Sequence, residues 1–271
     1  MFSNKTEFDI NKIKHSQINL NLYDNQNRPI EETNKAVCFV NLNTLPKHTK
    51  QCFISIEDKN FYEHNGLNYK RMAGAMLKNI KAMKIKEGAS TISQQLIKNT
   101  HLSSEKTFTR KFNEILLTKQ LEKILSKDEI LEYYLNVIYF GDNCYGIENA
   151  SQHYFSKPAK QLNLLESATL AGMIKAPNIY SPIKNSQKSL ERRNVVLYEL
   201  YQDNKINFQD YIKLKSSPLE TNVSNPKDEF HNSYSQACYE EASRILKCQK
   251  NKLQLENIKF IPISIKRNKK P

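Results

Sequence analysis

The stretch "KDEILEYYLNVIYF", residues 127–140, decides the fold class of this chain of 271 residues. Its apolar side chains recur at spacings of three and four residues, which is the period of a helix that buries one face. Ser126 precedes the stretch and Glu129 follows three residues later, so these two side chains can form a capping box. The stretch therefore predicts a helix that begins after Ser126 and packs against a core.

The helical period recurs along most of the chain. It is visible between about residues 46 and 180 and in two further segments between 184 and 215. Six glycines and no tryptophan argue against a glycine-rich nucleotide-binding fold and against a repetitive β-protein. A chain of this length with 39% apolar residues can bury a full core. We therefore expect a mostly α-helical protein.

The expected domain organisation has three parts. Residues 1–45 form an N-terminal arm with a short β-ribbon, because apolar and polar residues alternate over 18–22 before a turn signal. Residues 46–215 form the main helical domain. Residues 216–271 form a linker-like tail, which begins in a loop-like stretch with Pro, Ser and Asn.

The formal net charge of +13 indicates attraction to an anionic partner such as nucleic acid, an acidic membrane surface or a phosphorylated ligand. Between Gly66 and Lys98, seven cations and one acid, Glu87, are interleaved with apolar residues. This mixture suits an amphipathic element on an anionic membrane, and a helix with a lysine-rich solvent face gives the same pattern. Nucleic acid is the weaker interpretation because no aromatic platform or nucleic-acid motif accompanies the charge.

Cysteine spacing and hydropathy limit the other classes of protein. The five cysteines include no C-x-x-C pair and no nearby paired histidines, so we expect buried free thiols rather than a disulfide framework or a zinc site. The first 50 residues contain no apolar run as long as a signal peptide or a membrane-spanning helix. The sequence therefore predicts neither of these segments.

Two short segments concentrate charged residues that could carry catalysis. In "EDKNFYEHNG", residues 57–66, Glu57 stands beside aromatic and apolar neighbours, which suits a general acid or base. A solvated helix end would explain the same residues. In "RKFNE", residues 110–114, both cations lie within one helical turn of Glu114. That cluster is either a set of surface ion pairs or a site that holds phosphates around one acid.

A third segment, "GASTISQQLIKN", residues 88–99, is rich in hydrogen-bond donors. We expect Ser90 to cap a helix, which places Thr91, Gln95 and Lys98 on one face. A helix start with hydroxyl, amide and lysine side chains is suited to sugar hydroxyls and phosphate oxygens.

Taken in order, these segments resemble motifs of the peptidoglycan glycosyltransferase domain, glycosyltransferase family 51, of class A penicillin-binding proteins and monofunctional transglycosylases. Two further segments complete the five family motifs: "KDEILEYYLNVIYFGDNCYGIENAS", residues 127–151, and "ESATLAGMIKAPNIYSP", residues 166–182. The resemblance implies a lysozyme-like, mostly α-helical fold. It also implies an enzyme that polymerises lipid II into β-1,4-linked glycan strands with inversion and releases undecaprenyl diphosphate.

The resemblance implies roles for individual residues. Glu57 would be the general base that deprotonates the acceptor 4-hydroxyl of lipid II. Glu114 matches the second family glutamate, which orients the cations or assists the leaving group. Lys98, Arg110 and Lys111 would meet the diphosphate. The full set of expected substrate-binding residues is Asp58, Phe61, His64, Ser90, Thr91, Gln94, Gln95, Lys98, Arg110, Lys111 and Asn136.

The resemblance also implies partners and a location. No cofactor is required, and a divalent cation (Mg²⁺ or Mn²⁺) on the substrate diphosphate is left open, because the sequence shows no ligand set for one. The expected partners are lipid II, the nascent glycan strand and an anionic membrane surface; other cell-wall synthesis proteins are left open, and no nucleic acid is expected. The family implies the outer face of the cytoplasmic membrane, although no signal or membrane helix is visible in this sequence.

The chain departs from the family pattern at three places. Glu87 precedes Gly88 where the family commonly has Gly-Gly, and Gly74 stands where many members have arginine. The tail resembles the linker that leads to a transpeptidase domain. One Ser-x-x-Lys follows residue 182, from Ser224 to Lys227, but no Ser-Asp-Asn or Lys-Thr-Gly accompanies it, so a transpeptidase domain is expected to be absent.

Two other functions stay open beside the transferase. One is a lysozyme-like lytic hydrolase, which uses carboxylates on the same fold. The other is a catalytically silent remnant of a truncated penicillin-binding protein that binds lipid-linked precursor. The cations near Glu114 favour the transferase because hydrolysis of a glycan needs no cations at a diphosphate, and the presence of all the required motif residues counts against a remnant.

Overall fold

The structure is a computed structural model that describes residues 7–15, 21–22, 39–74, 90–102, 107–142, 144–222 and 259–260. The described residues belong to two compact units. The larger contains residues 7–9 and 39–222, and the smaller contains residues 10–15, 21–22 and 259–260.

The smaller unit contains one short helix and one pair of short strands. Helix α1 is Ile10–His15, and strand β1, Asn21–Leu22, pairs in parallel with strand β2, Lys259–Phe260. Of the predicted N-terminal ribbon only β1 is described, and its partner comes from the far end of the sequence rather than from a local turn. The rest of that ribbon, and most of the tail after residue 222, lie outside the described residues.

The larger unit is helical, which confirms the predicted mostly α fold class. Short 3-10 helices occur at Leu42–Thr44 and Ala159–Gln161. The α-helices, in chain order, are α2 (Lys47–Glu57), the helical residues 69–74 (α3), α4 (Ile92–His101), α5 (Phe108–Ile124), α6 (Lys127–Val137), α7 (Ile147–Phe155), α8 (Leu164–Met173), α9 (Ser186–Gln202) and α10 (Phe208–Ser216). The two helices predicted between residues 184 and 215 are thus confirmed as α9 and α10.

Side-chain caps determine where the helices near the candidate site begin. The predicted capping box of Ser126 and Glu129 at α6 is confirmed. The predicted cap of α4 by Ser90 is wrong, because Thr91 caps that helix and Ser90 is exposed. The reason lies three residues further on: Gln94 can reach back to the backbone N–H of Thr91, so the box forms one residue later than expected.

Helix α8 forms the centre of the core. Its side chains from Glu166 to Met173 are all buried, and it packs against α2 and α9. Gly172 permits the close approach of α9, because a Cβ atom there would lie 3.1 Å from Cγ of Arg192. Helix α4 packs against α5 and α6. Burial of each large aliphatic side chain in this core contributes roughly 1.5–3 kcal/mol, so these contacts hold the helices that carry the candidate site.

Arg193 holds the C-terminal part of the larger unit through hydrogen bonds to its backbone. It is fully buried on α9, and its guanidinium donates hydrogen bonds to four backbone carbonyls that follow one another closely, those of Leu214, Lys215, Ser217 and Pro218. The chain is held again at Asn222, whose N–H donates to the carbonyl of Tyr154 and whose carbonyl accepts from Oγ of Ser156. The segment after α10 is therefore bound to both α9 and α7.

The prediction of buried free thiols is confirmed for Cys52 and Cys144. Burial raises the pKa of the Cys52 thiol well above its ordinary value, so this thiol stays protonated. The remaining cysteines, Cys38, Cys238 and Cys248, lie outside the described residues. No helix in the described ranges combines the length and the apolar character that a membrane crossing needs.

Candidate active site

Glu57 lies at the C-terminus of α2, where three helices meet. Its side-chain oxygen Oε2 accepts a hydrogen bond of 2.6 Å from Nε2 of Gln95 on α4. Its backbone carbonyl accepts a hydrogen bond from Arg71 on α3. Among the described residues no hydrogen bond occupies Oε1 of Glu57. The carboxylate is therefore oriented through one oxygen and has the other available to a ligand.

A buried tyrosine continues this arrangement. The hydroxyl of Tyr134 on α6 donates to Oε1 of Gln95 over 3.3 Å. Burial raises the pKa of Tyr134 well above its ordinary value, and the negative charges of Glu57 and Asp58 raise it further. The hydroxyl therefore keeps its proton. Tyr134 was not among the predicted site residues, because a helical apolar period does not distinguish a buried tyrosine from other core residues.

Asp58 is completely buried and holds the first motif to the start of α4. Its carboxylate accepts the backbone N–H of Ile92 at 3.1 Å and lies 3.0 Å from Nε2 of His64. The N–H of Gly66 donates to Nδ1 of His64, so Nε2 carries the ring hydrogen and donates to Asp58. The buried ring of Phe61 packs edge-on against His64. Asp58, Phe61 and His64 thus support the cleft from within.

Glu114 is buried on α5 and is joined to the N-terminal turn of α4. Its Oε1 accepts from Nε2 of Gln94 at 3.0 Å and from Nζ of Lys111. Oε1 of Gln94 in turn accepts the N–H of Thr91. The two glutamates are therefore held by consecutive residues of α4, Glu114 by Gln94 and Glu57 by Gln95.

The three predicted cations differ in their surroundings. Lys98 is exposed on α4, one turn beyond the two glutamines. Lys111 is partly exposed and pairs with Glu114. Arg110 is half-buried, and within the described part of the chain its buried Nε has no hydrogen-bond partner. Cations placed in this way can bind an anionic ligand at modest desolvation cost. The same part of the chain contains no group of three or more His, Cys, Asp or Glu residues that could hold a metal ion.

Asn136 does not join this group of side chains. Its amide oxygen accepts the N–H of Val40 at 2.8 Å, and its amide nitrogen donates to the carbonyls of Val40 and Glu132. Both amide hydrogens are thereby used by the backbone. The structure shows Asn136 holding the segment before α2 against α6, a role the sequence analysis did not foresee.

A second polar network supports the site, and the sequence patterns did not predict it. Glu122 on α5 accepts hydrogen bonds from Ser93 and from Lys127, and the ammonium of Lys127 lies 4.6 Å from the ring centroid of Phe61. Gly66 is positioned against the same helix with a φ of +85°, where a Cβ atom would lie 2.9 Å from Cγ of Glu122. This network joins α4, α5, α6 and the first motif. Its members lie on four segments, so no local pattern indicated them.

A cavity of about 720 Å³ lies beside Glu57's helix. It adjoins the site because Arg71, which lines it, donates to the backbone carbonyl of Glu57. Its lining carries both signs of charge and suits a polar ligand. The lining residues that bear charge are Lys59, Glu63, Lys70, Arg71 and Glu199.

Known proteins similar to this chain share its helical region. Residues 26–201 match the family described as Transglycosylase. Penicillin-binding protein 1F of Bacillus subtilis (strain 168) is 44% identical over 178 residues, which are 66% of this chain and 24% of that protein. Penicillin-binding protein 1A of Clostridium botulinum (strain Langeland / NCTC 10281 / Type F) is 43% identical over 204 residues, 71% of this chain and 24% of that protein.

Among solved structures, the crystal structure of penicillin-binding protein 1A from Haemophilus influenzae aligns with 84% of this chain and 24% of its own, at 23% identity and a TM-score of 0.46. The chain spans about a quarter of the length of the relatives it matches.

Proposed function

The chain belongs to the transglycosylase family, and from this premise we propose that it is a peptidoglycan glycosyltransferase that polymerises lipid II. The relatives named above are penicillin-binding proteins, which supports this assignment. The observation that carries the proposal is the joining of both glutamates to neighbouring residues of α4, with three cations on α4 and α5.

In the proposed reaction Glu57 is the general base. Its Oε2 is held by Gln95, so Oε1 accepts the proton of the 4-hydroxyl on the acceptor lipid II sugar. The acceptor oxygen then forms the bond to the anomeric carbon of the growing glycan, with inversion, while the bond to the diphosphate breaks. The proton ends on Glu57 and the electron pair leaves with undecaprenyl diphosphate.

The leaving diphosphate develops negative charge, which the cations stabilise. We assign this role to Lys98, Arg110 and Lys111, whose charges are compensated, within the described residues, only by Glu114 at Lys111. Glu114 orients Lys111 and Gln94 through one carboxylate oxygen. Thr91 and Gln94 fix the start of α4, and Ser90 is exposed beside it.

The proposal includes partners and location. No metal bound by the protein is required, and a divalent cation would be held by the substrate diphosphate. The growing glycan strand and an anionic membrane surface are the proposed partners, at the outer face of the cytoplasmic membrane. Lys70 and Arg71 begin the basic segment that would meet that surface.

The test compares wild type with Glu57→Gln on lipid II in detergent. We expect glycan chains from wild type and a rate at least about 100-fold lower from the variant, because general base catalysis contributes on that order. Glu191→Gln is the matched control, since Glu191 is exposed on α9 and bonded only to Gln187 among the described residues. Equal rates for wild type and Glu57→Gln would contradict the mechanism.

The same assay separates the alternatives. Polymerised glycan is offered in parallel with lipid II. Cleavage of the polymer with lipid II untouched would indicate a lytic hydrolase, and binding of lipid II by wild type without turnover would indicate a silent remnant.

A further inference from the structure

The hydroxyl of Tyr134 takes no part in the proposed reaction, although two successive hydrogen bonds connect it to the general base, Glu57. Tyr134 is fully buried, its hydroxyl donates to Gln95, and Gln95 donates to Glu57. The three residues come from α6, α4 and α2.

The side-chain amide of Gln95 has two orientations that differ by a flip of its oxygen and nitrogen. In the observed orientation the N–H points at Glu57 and the carbonyl oxygen points at the tyrosine hydroxyl. In the flipped orientation an amide oxygen would lie 2.6 Å from the carboxylate oxygen, which is repulsive. The carboxylate therefore sets the amide orientation, and the tyrosine hydroxyl, which can donate or accept, is left to donate to the carbonyl oxygen of the amide.

We propose that Tyr134 is a positioning residue: its hydrogen bond to the carbonyl oxygen of Gln95 holds the amide whose N–H aims Glu57 as the general base. This inference rests on the proposed function. The hydroxyl of Tyr134 touches neither substrate nor the reacting atoms.

The first experiment measures the pH dependence of kcat/KM for lipid II polymerisation by wild type and Tyr134→Phe. The phenylalanine keeps the buried ring and removes only the donor to Gln95. We expect the acidic limb to move to higher pH by about half a unit and kcat at pH 7 to fall roughly three- to tenfold, because a hydrogen bond at a charged group is weakened. KM should change less than about twofold, because the cations are untouched.

Tyr133→Phe is the matched control. Tyr133 is the preceding residue on α6, it is half-buried, and its ring packs against Phe39. Its pH profile should superimpose on that of wild type. A shift in Tyr133→Phe as large as that in Tyr134→Phe would overturn the proposal, since it would show a general effect of lost tyrosine hydroxyls on α6.

A second variant keeps the proposal falsifiable if Tyr134→Phe fails to fold. Gln95→Met removes the middle of the chain and should move the acidic limb in the same direction. Where both fold, the double variant should shift no further than Gln95→Met alone, because both changes interrupt one coupled arrangement. Additive shifts would overturn the proposal.

The outcomes distinguish the proposed function from the positioning role of Tyr134. A wild type that does not polymerise lipid II contradicts the proposed function. If wild type polymerises lipid II and its pH profile has an acidic limb, an identical acidic limb in Tyr134→Phe overturns the positioning role alone.

Discussion

Replacement of Asp58 by asparagine tests whether Asp58 supports the site by stabilising the fold rather than by binding the substrate. Asp58 is fully buried and accepts hydrogen bonds from the N–H of Ile92 and from Nε2 of His64. Asparagine offers one acceptor oxygen where the carboxylate offers two. Since Gly66 donates to Nδ1 of His64, the ring cannot turn its Nε2 into an acceptor without leaving two N–H groups facing each other.

The expected cost follows from these contacts. Asp58→Asn loses one hydrogen bond at a charged group and leaves a buried donor without an acceptor. The first effect is worth roughly 1.5–3 kcal/mol and the second roughly 1–3 kcal/mol, so the free energy of unfolding should fall by about 3 kcal/mol or more. For a unit of this size that corresponds to a drop in Tm of roughly 10 °C.

Urea unfolding followed by circular dichroism measures the stability, and lipid II polymerisation well below the unfolding transition measures function. Asp128→Asn is the control, because Asp128 is exposed and accepts only the hydroxyl of Tyr62 among the described residues, so its change should cost under about 1 kcal/mol. We expect Asp58→Asn to lose stability first, with KM nearly unchanged in the protein that remains folded. A wild-type urea midpoint together with a tenfold higher KM would refute this reasoning and make Asp58 a direct ligand of the substrate.

Two further predictions concern other parts of the larger unit. Gly146→Ala should destabilise it by about 2 kcal/mol or more in thermal unfolding, since φ is +82° and a Cβ would lie 2.7 Å from the carbonyl oxygen of Asn136; Gly74→Ala, with open space around it, should not. Burial raises the pKa of Asp142, but the hydrogen bond and charge of Lys184, together with the hydrogen bond of Tyr154 and the charge of His153, outweigh burial and lower that pKa. This stabilisation is present above the ordinary aspartate pKa of about 4 and is lost as the pH falls through the lowered pKa, so Lys184→Met should be less stable than wild type by under about 1 kcal/mol at pH 7, and the difference should disappear once Asp142 is protonated. A difference that persists in acid would contradict this origin.

The local parts of the fold could be predicted from the sequence. The start of α6 is an example, because Ser126 and Glu129 form the capping box from residues only three apart. The cap of α4 was misplaced by one residue, since both Ser90 and Thr91 are good capping residues and only the reach of Gln94 decides between them. Such choices depend on side-chain geometry that a periodic pattern does not contain.

The candidate site was likewise predictable only where the signal is local in the sequence. The motifs selected Glu57 and Gln95 as separate contributors, but the hydrogen bond between them joins residues 38 positions apart. Asn136 was selected for its motif, and its amide is hydrogen-bonded to the backbone of Val40 and Glu132. Tyr134 was overlooked because an apolar period cannot say whether the polar end of a buried tyrosine has a partner.

The binding of the segment after α10 determines how the larger unit responds to tension. A pull on the chain beyond residue 222 first loads the hydrogen bonds between Asn222 and α7. Only after these fail does the load reach the carbonyls held by Arg193, and only then α10. The buried guanidinium therefore resists a pull from the C-terminal side at the rim of the unit, before any load reaches α4, whose glutamines hold Glu57 and Glu114.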